Sequence, residues 1–261
     1  MNRYSSCAAW AAAVSLAGTV GAVVTILHPR VWLTPSPAWS GLAPVALLYS
    51  TGLLIAAAPV AGVAIGCRER LRAKVAGAAS TAARIVVSLV VGALAFAAAA
   101  AASTLTIGLF AGEDFSMALL GAHAVQGIAA LAIGLGGAVL ACWFRNPLDA
   151  AAWAVTLTWV GSFGILGAGT LVERLPHALV EWTLGASPLM VVATAARIDV
   201  LRTDIVYQIS PLAHAQMQLP DWPIVSAGYL SLAAACAVVL LRVSSEATPA
   251  SQQHILEKDF A

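Results

Sequence analysis

Six stretches of this chain run without a single charged residue: Tyr4 to Pro29, Val31 to Cys67, Ile85 to Gly112, Phe115 to Phe144, Ala150 to Val172 and Trp222 to Leu241. No other feature limits the fold as strongly. In lipid every backbone polar group must be satisfied internally, and a helix of about 20 apolar residues crosses a hydrocarbon core of about 30 Å. Composition agrees, with 61% of the 261 residues hydrophobic and 10% charged, against roughly 25% charged in an ordinary soluble domain. The expected fold class is all-α: a polytopic membrane protein with six spans near 7–27, 43–66, 84–111, 116–143, 150–172 and 223–242. Residues 1–243 form one transmembrane domain and 244–261 a polar tail.

The basic residues orient these spans. With both termini inside, the cytoplasmic face receives Arg3, Arg68, Arg70, Arg72, Lys74, Arg84, Arg145, Arg242 and Lys258, and the outer face only Arg30, Arg174, Arg197 and Arg202. Basic residues concentrate on the cytoplasmic side of short loops, so a multi-pass protein with both termini inside is expected. Arg3 ahead of an apolar run also resembles a signal peptide, but no convincing small-x-small cleavage site follows, which favours a retained span. The net charge of +1 gives no reason to expect a nucleic-acid partner. Cys7, Cys67, Cys142 and Cys236 form no CxxC pair, so neither a zinc site nor a disulfide framework is implied.

One connection is long, from Glu173 to Pro223 on the outer side. Loops of that length without structure are uncommon. It contains WTLGASPLMVVATAA, fifteen uncharged residues, too short to span and of a length expected of a re-entrant or buried segment. The expectation is an element that dips in at Trp182, breaks near Pro188 and returns; the rival is a buried helix packed over the bundle. Beyond it, Ala195, Ile198, Leu201 and Ile205 stand at helical spacing, with Arg197, Asp199, Arg202 and Asp204 toward the polar side. That pattern predicts an amphipathic helix lying in the interface.

The spans hold no Asp, Glu or Lys well inside the apolar region. Ion-driven carriers need ionisable groups at that depth, so the chain shows no engine of its own. Neither GxxxxGK[ST], HExxH nor GxSxG occurs, which leaves nucleotide hydrolysis and hydrolase chemistry without a motif. His123 and Gln126, one helical turn apart in the fourth span, share a face toward either a pathway or an interhelical hydrogen bond. His28, His177 and His214 fall on the same side as His123, and they motivate a second reading, a membrane anchor or haem-binding subunit of a redox or assembly complex. In the inner turn, GCRERLRAKVAGAAS, the residues Arg68, Arg70, Arg72 and Lys74 surround Glu69 and Leu71 on what should be a short helix. Such a helix either docks on a cytoplasmic partner or anchors at anionic headgroups of the membrane lipid.

In the order of these parts the chain resembles the permease subunits of ABC transporters of the second exporter type. The resemblance is strongest from Pro59 to Trp159, where GCRERLRAKVAGAAS precedes two long spans and then LACWFRNPLDAAAWA, and GASPLMVVATAARIDVLRTDIVYQISPL looks like an outer-loop segment of such permeases. It implies six spans, a coupling helix at Arg68 to Lys74, a re-entrant segment before the last span, and a dimer with a second permease copy or homologue. It also implies a cytoplasmic ATP-binding subunit that carries the ATP and magnesium, with no cofactor on this chain.

Overall fold

The protein is described by a computed structural model over residues 42–76, 78–111, 117–167, 172, 174–198, 200 and 217–246. These residues form seven helices and no strand: α1 (Leu42–Ala76), α2 (Ala78–Ala111), α3 (Met117–Trp143), α4 (Pro147–Gly167), α5 (His177–Gly185), α6 (Pro188–Ala195) and α7 (Trp222–Glu246). Five of them, α1, α2, α3, α4 and α7, are long and apolar enough to cross a membrane, and the bent pair α5 and α6 passes the same test together. The expected first span at 7–27 and the tail from 247 onward lie outside the described residues. The expected span at 150–172 starts earlier, at Pro147, because Asn146 caps the helix: its Oδ1 accepts the Leu148 N–H at 3.0 Å. Proline at the first helical position and Asp149 in the first turn complete the start.

Helix α3 is the hub, packing against α1, α2, α4, α6 and α7. Its closest neighbour is α1, and glycine sets the distance between them. A methyl group on Gly62 would overlap the Gly134 carbonyl, one on Gly137 would overlap the Pro59 carbonyl, and one on Gly66 would come within 3.0 Å of the Ala141 methyl. In lipid, packing drives helix association, and small residues allow backbones to approach. The GIAALAIGLGG stretch of α3 is therefore an interface.

At one end of the bundle, Ala43 and Leu47 of α1, Leu119, Ala122 and Val125 of α3, and Val225 of α7 enclose α6 through Val191, Val192 and Ala195. Toward the other end Ala82, Ile85 and Leu89 of α2 meet Leu135, Ala138 and Val139 of α3 and Leu240 of α7. There Val63 and Ala141 also meet Ala150 and Ala154 of α4. The arginines of α1 lie at this second end, called here the basic end, and the bent pair lies at the first.

The bend of the pair falls at Pro188, where the sequence placed a break. α5 and α6 meet at 79°. The break falls at Ala186 and Ser187, where the proline ring forces the preceding residue out of the helical region: Ser187 has φ −62° and ψ 133°. The Tyr229 hydroxyl donates to the Ala186 carbonyl at 2.6 Å and ties the break to α7 seven residues below Trp222, about 10 Å at 1.5 Å per residue. Both limbs pack at the same end of the bundle, since α5 meets Ile165 and Met217 through Val180, and Leu184 joins Leu48 and Met190.

The amphipathic helix expected through Ala195, Ile198, Leu201 and Ile205 is interrupted between Ala195 and Ile198, and Leu201 and Ile205 lie outside the described residues. α6 ends at Ala195, Ile198 N–H donates to the Ala193 carbonyl at 2.8 Å, Arg197 N–H donates to the Thr194 carbonyl at 3.1 Å, and Arg197 has φ 60°. These are the bonds of a Schellman cap, with an arginine where glycine is usual. Ile198 gains burial against Leu47 and Leu48 neighbours by turning in, and tertiary packing overrides the helical period. Asp199, Arg202 and Asp204 lie outside the described residues.

Candidate functional site

The basic end begins as a consequence of helix propensity. Between Cys67 and Ala76 there is neither glycine nor proline, so nothing stops α1 where the apolar run stops. Instead of a separate short helix, residues 68–76 are the last turns of a 35-residue helix, about 52 Å long. That exceeds the hydrocarbon core by about 20 Å, so the arginine-bearing turns project beyond it.

Within these turns the charged groups divide into two sets. Glu69, 4% exposed, accepts from Arg72 Nη1 at 2.9 Å and from Arg84 Nε of α2 at 3.1 Å, while Arg84 also donates to Thr81 Oγ1 at 3.0 Å. Arg70 donates to the Ala141 carbonyl, one of the last four carbonyls of α3 that no intrahelical N–H reaches, and its charge suits that helix end. Glu69 with Arg84 thus ties α1 to α2, Arg70 ties α1 to α3, and Arg72 pairs with Glu69 within α1. Facing away from them, Arg68 is exposed and Leu71 is 73% exposed. Lys74 is helical, with its side chain outside the described residues.

The second cluster is buried between α1 and α3. The Gln126 side-chain amide donates to Ser50 Oγ at 2.7 Å and Thr51 Oγ1 at 3.0 Å, and its Oε1 lies 3.0 Å from His123 Nδ1. Both hydroxyls also donate to the Leu47 carbonyl at 2.8 Å. An interhelical hydrogen bond, one of the two expected roles for His123 and Gln126, is what this geometry supplies. His123 is 2% exposed and its Nε2 has no hydrogen-bond partner among the described residues. Sequence reasoning missed Ser50 and Thr51, whose adjacent hydroxyls within an apolar run were the available signal.

Gln126→Leu is expected to destabilise the protein by about 1 to 3 kcal/mol, because it strands the buried imidazole and removes the link between helices. Ser50→Ala should cost less, as Thr51 still pairs with Gln126. Thermal unfolding of the two variants in detergent checks the order.

Of the residues expected at the other end, Trp182 is 54% exposed on α5, Pro188 opens α6 and Arg197 is exposed at its cap. Among the described residues no three His, Cys, Asp or Glu side chains gather as metal ligands. Cys67, Cys142 and Cys236 are free thiols packed within the bundle. Comparison with known proteins returns no match: no family model, no curated protein and no solved structure is similar to this chain.

Proposed function

We propose that the chain is the membrane-spanning subunit of an ATP-driven transporter, an exporter in a bacterial inner membrane, powered by a separate ATP-hydrolysing subunit that docks at Arg68, Leu71 and the turn to α2. The observation that carries this reading is the course of α1. One helix joins the exposed Leu71 and Arg68 at the basic end to Leu47, Ser50 and Thr51, where it touches α6 and Gln126 of α3. Its clamps to α2 and α3 make the three helices one lever. Closure of a nucleotide-bound partner against Leu71 would tilt this lever as a rigid body and shift the floor under α6. Two copies facing each other would open and close a path between them, with the engine supplied by the partner and no ionisable coupling group needed in the spans.

The reading requires the two ends of α1 to lie on opposite sides of the membrane, with Leu71 inside. In intact cells, an impermeant thiol reagent is expected to label Ala178→Cys on α5 without treatment and Leu71→Cys only after permeabilisation, in a background lacking the native cysteines. Labelling of Leu71→Cys from outside would remove the docking site from the compartment that holds ATP, and the reading with it.

A further inference from the structure

A cleft of about 460 Å³ opens sideways between α4 and α7, two helices that make no substantial contact with each other. That volume lies in the range of small-molecule sites, about 300 to 1,000 Å³. Its floor is α3 at Gly136 and Pro59 of α1, its walls are Leu157 and Gly161 of α4 and Leu232 of α7, and its roof is Pro188 at the break. Along α3 it runs from Ala132 to Trp143, about 16 Å at 1.5 Å per residue, roughly half the thickness of a hydrocarbon core of about 30 Å. The cleft is therefore one leaflet deep, counted from the basic end.

Its glycines differ from those of the α1–α3 crossing. A side chain added at Gly136 or Gly161 would meet nothing within 4 Å, whereas Gly62 and Gly137 are filled by backbone. Two facing helices thus leave room that no described side chain occupies. Trp143, which lines the cleft, is exposed, and two residues on, in the turn that joins α3 to α4 outside the lining, Arg145 is exposed and without a hydrogen bond or ion pair among the described residues. An indole beside a free guanidinium suits the headgroup level. At the far end, beneath Pro188, the Ser162 hydroxyl is buried without a hydrogen-bond partner among the described residues.

We infer that this cleft binds one acyl chain of an anionic phospholipid from the leaflet at the basic end, with the phosphate at Arg145 and the chain lying over Gly136 and Gly161. The assignment is independent of whether the chain transports anything. It requires only a bilayer around the bundle.

The test uses the full chain in nanodiscs containing phosphatidylglycerol with a diazirine midway along one acyl chain, and cross-linked peptides are mapped by mass spectrometry. Labelling is expected to concentrate in 133–140 and 154–161 and to fall at least fivefold when unlabelled phosphatidylglycerol, but not phosphatidylcholine, is added. Gly161→Leu and Gly136→Leu fill the space and should reduce it about tenfold; Arg145→Gln should reduce it several-fold. Labelling at lipid-exposed Leu94 of α2 should stay constant, as should labelling of the cleft in Gly92→Leu, a glycine with equal room outside it. Cleft labelling no denser than at Leu94, indifferent to headgroup charge, or unchanged by Gly161→Leu would overturn the assignment. So would efficient cross-linking between two copies through Gly161→Cys, which would place a second chain in the cleft. If a leucine variant failed to fold, the competition between the two headgroups on the native chain would decide alone.

Discussion

Gly62→Leu is expected to abolish recovery of folded, monodisperse protein. A side chain at Gly62 has to pass through the Gly134 carbonyl, and backbone on a central helix has no rotamer by which to yield. Overpacking a core commonly costs about 1 to 3 kcal/mol; displacing α1 from α3 belongs at or above the top of that range. The displacement would also break the Gln126 bonds to Ser50 and Thr51 and the Arg70 bond to the Ala141 carbonyl, which lie above and below the crossing on the same two helices. Gly52→Leu, on the same helix but with nothing within 4 Å of the added group, should be recovered at the native level. Fluorescence-detected size exclusion of the two variants side by side separates a close-packed crossing from a general intolerance of bulk.

The second large effect concerns partner binding. Leu71→Asp is expected to eliminate association with the ATP-hydrolysing subunit while leaving the amount of this chain in the membrane unchanged. Leu71 is 73% exposed and contributes nothing to the bundle that a carboxylate would lose. Burying a leucine in a partner stabilises by about 1.5 to 3 kcal/mol, ten- to hundredfold in affinity at about 1.4 kcal/mol per factor of ten, before any cost of desolvating the new charge. A lipid anchor makes the opposite forecast, since one aspartate among four basic residues would change little. Charge reversal of Arg70 or Arg72 would be a poorer experiment. Arg70 bonds the Ala141 carbonyl of α3 and Arg72 pairs with Glu69, the partner of Arg84, so their loss would mix misfolding with uncoupling, while Arg68 is exposed and separable.

The positions of the five long described helices were legible because charge-free runs and the length of a bilayer crossing leave few choices. The break before Pro188 was legible because proline acts on its immediate neighbour. Four features were not. The 35-residue course of α1 passes the membrane boundary without a change in backbone, so polarity marked the end of the span but not the end of the helix. The arginine cap at Arg197 carries no glycine signal, and Ile198 turns inward for contacts supplied by residues about 150 positions earlier in the chain, such as Leu47 and Leu48. The partners of Gln126 lie 75 and 76 residues away, a separation that helical spacing within one segment cannot reveal. The role of Glu69 was hidden for the same reason: its neighbours in sequence made it one charge in a basic turn, while Arg84 on the next helix makes it the buried centre of a clamp.

Affinity purification of the tagged chain from its native membranes, in mild detergent, with measurement of nucleotide hydrolysis and of subunit stoichiometry by native mass spectrometry, addresses the proposed function most directly. The account predicts a complex holding two membrane chains and an ATP-hydrolysing subunit for each, which hydrolyses ATP and loses that subunit in Leu71→Asp. Recovery of the native chain without any ATP-hydrolysing subunit, or with one that Leu71→Asp leaves in place, would contradict it.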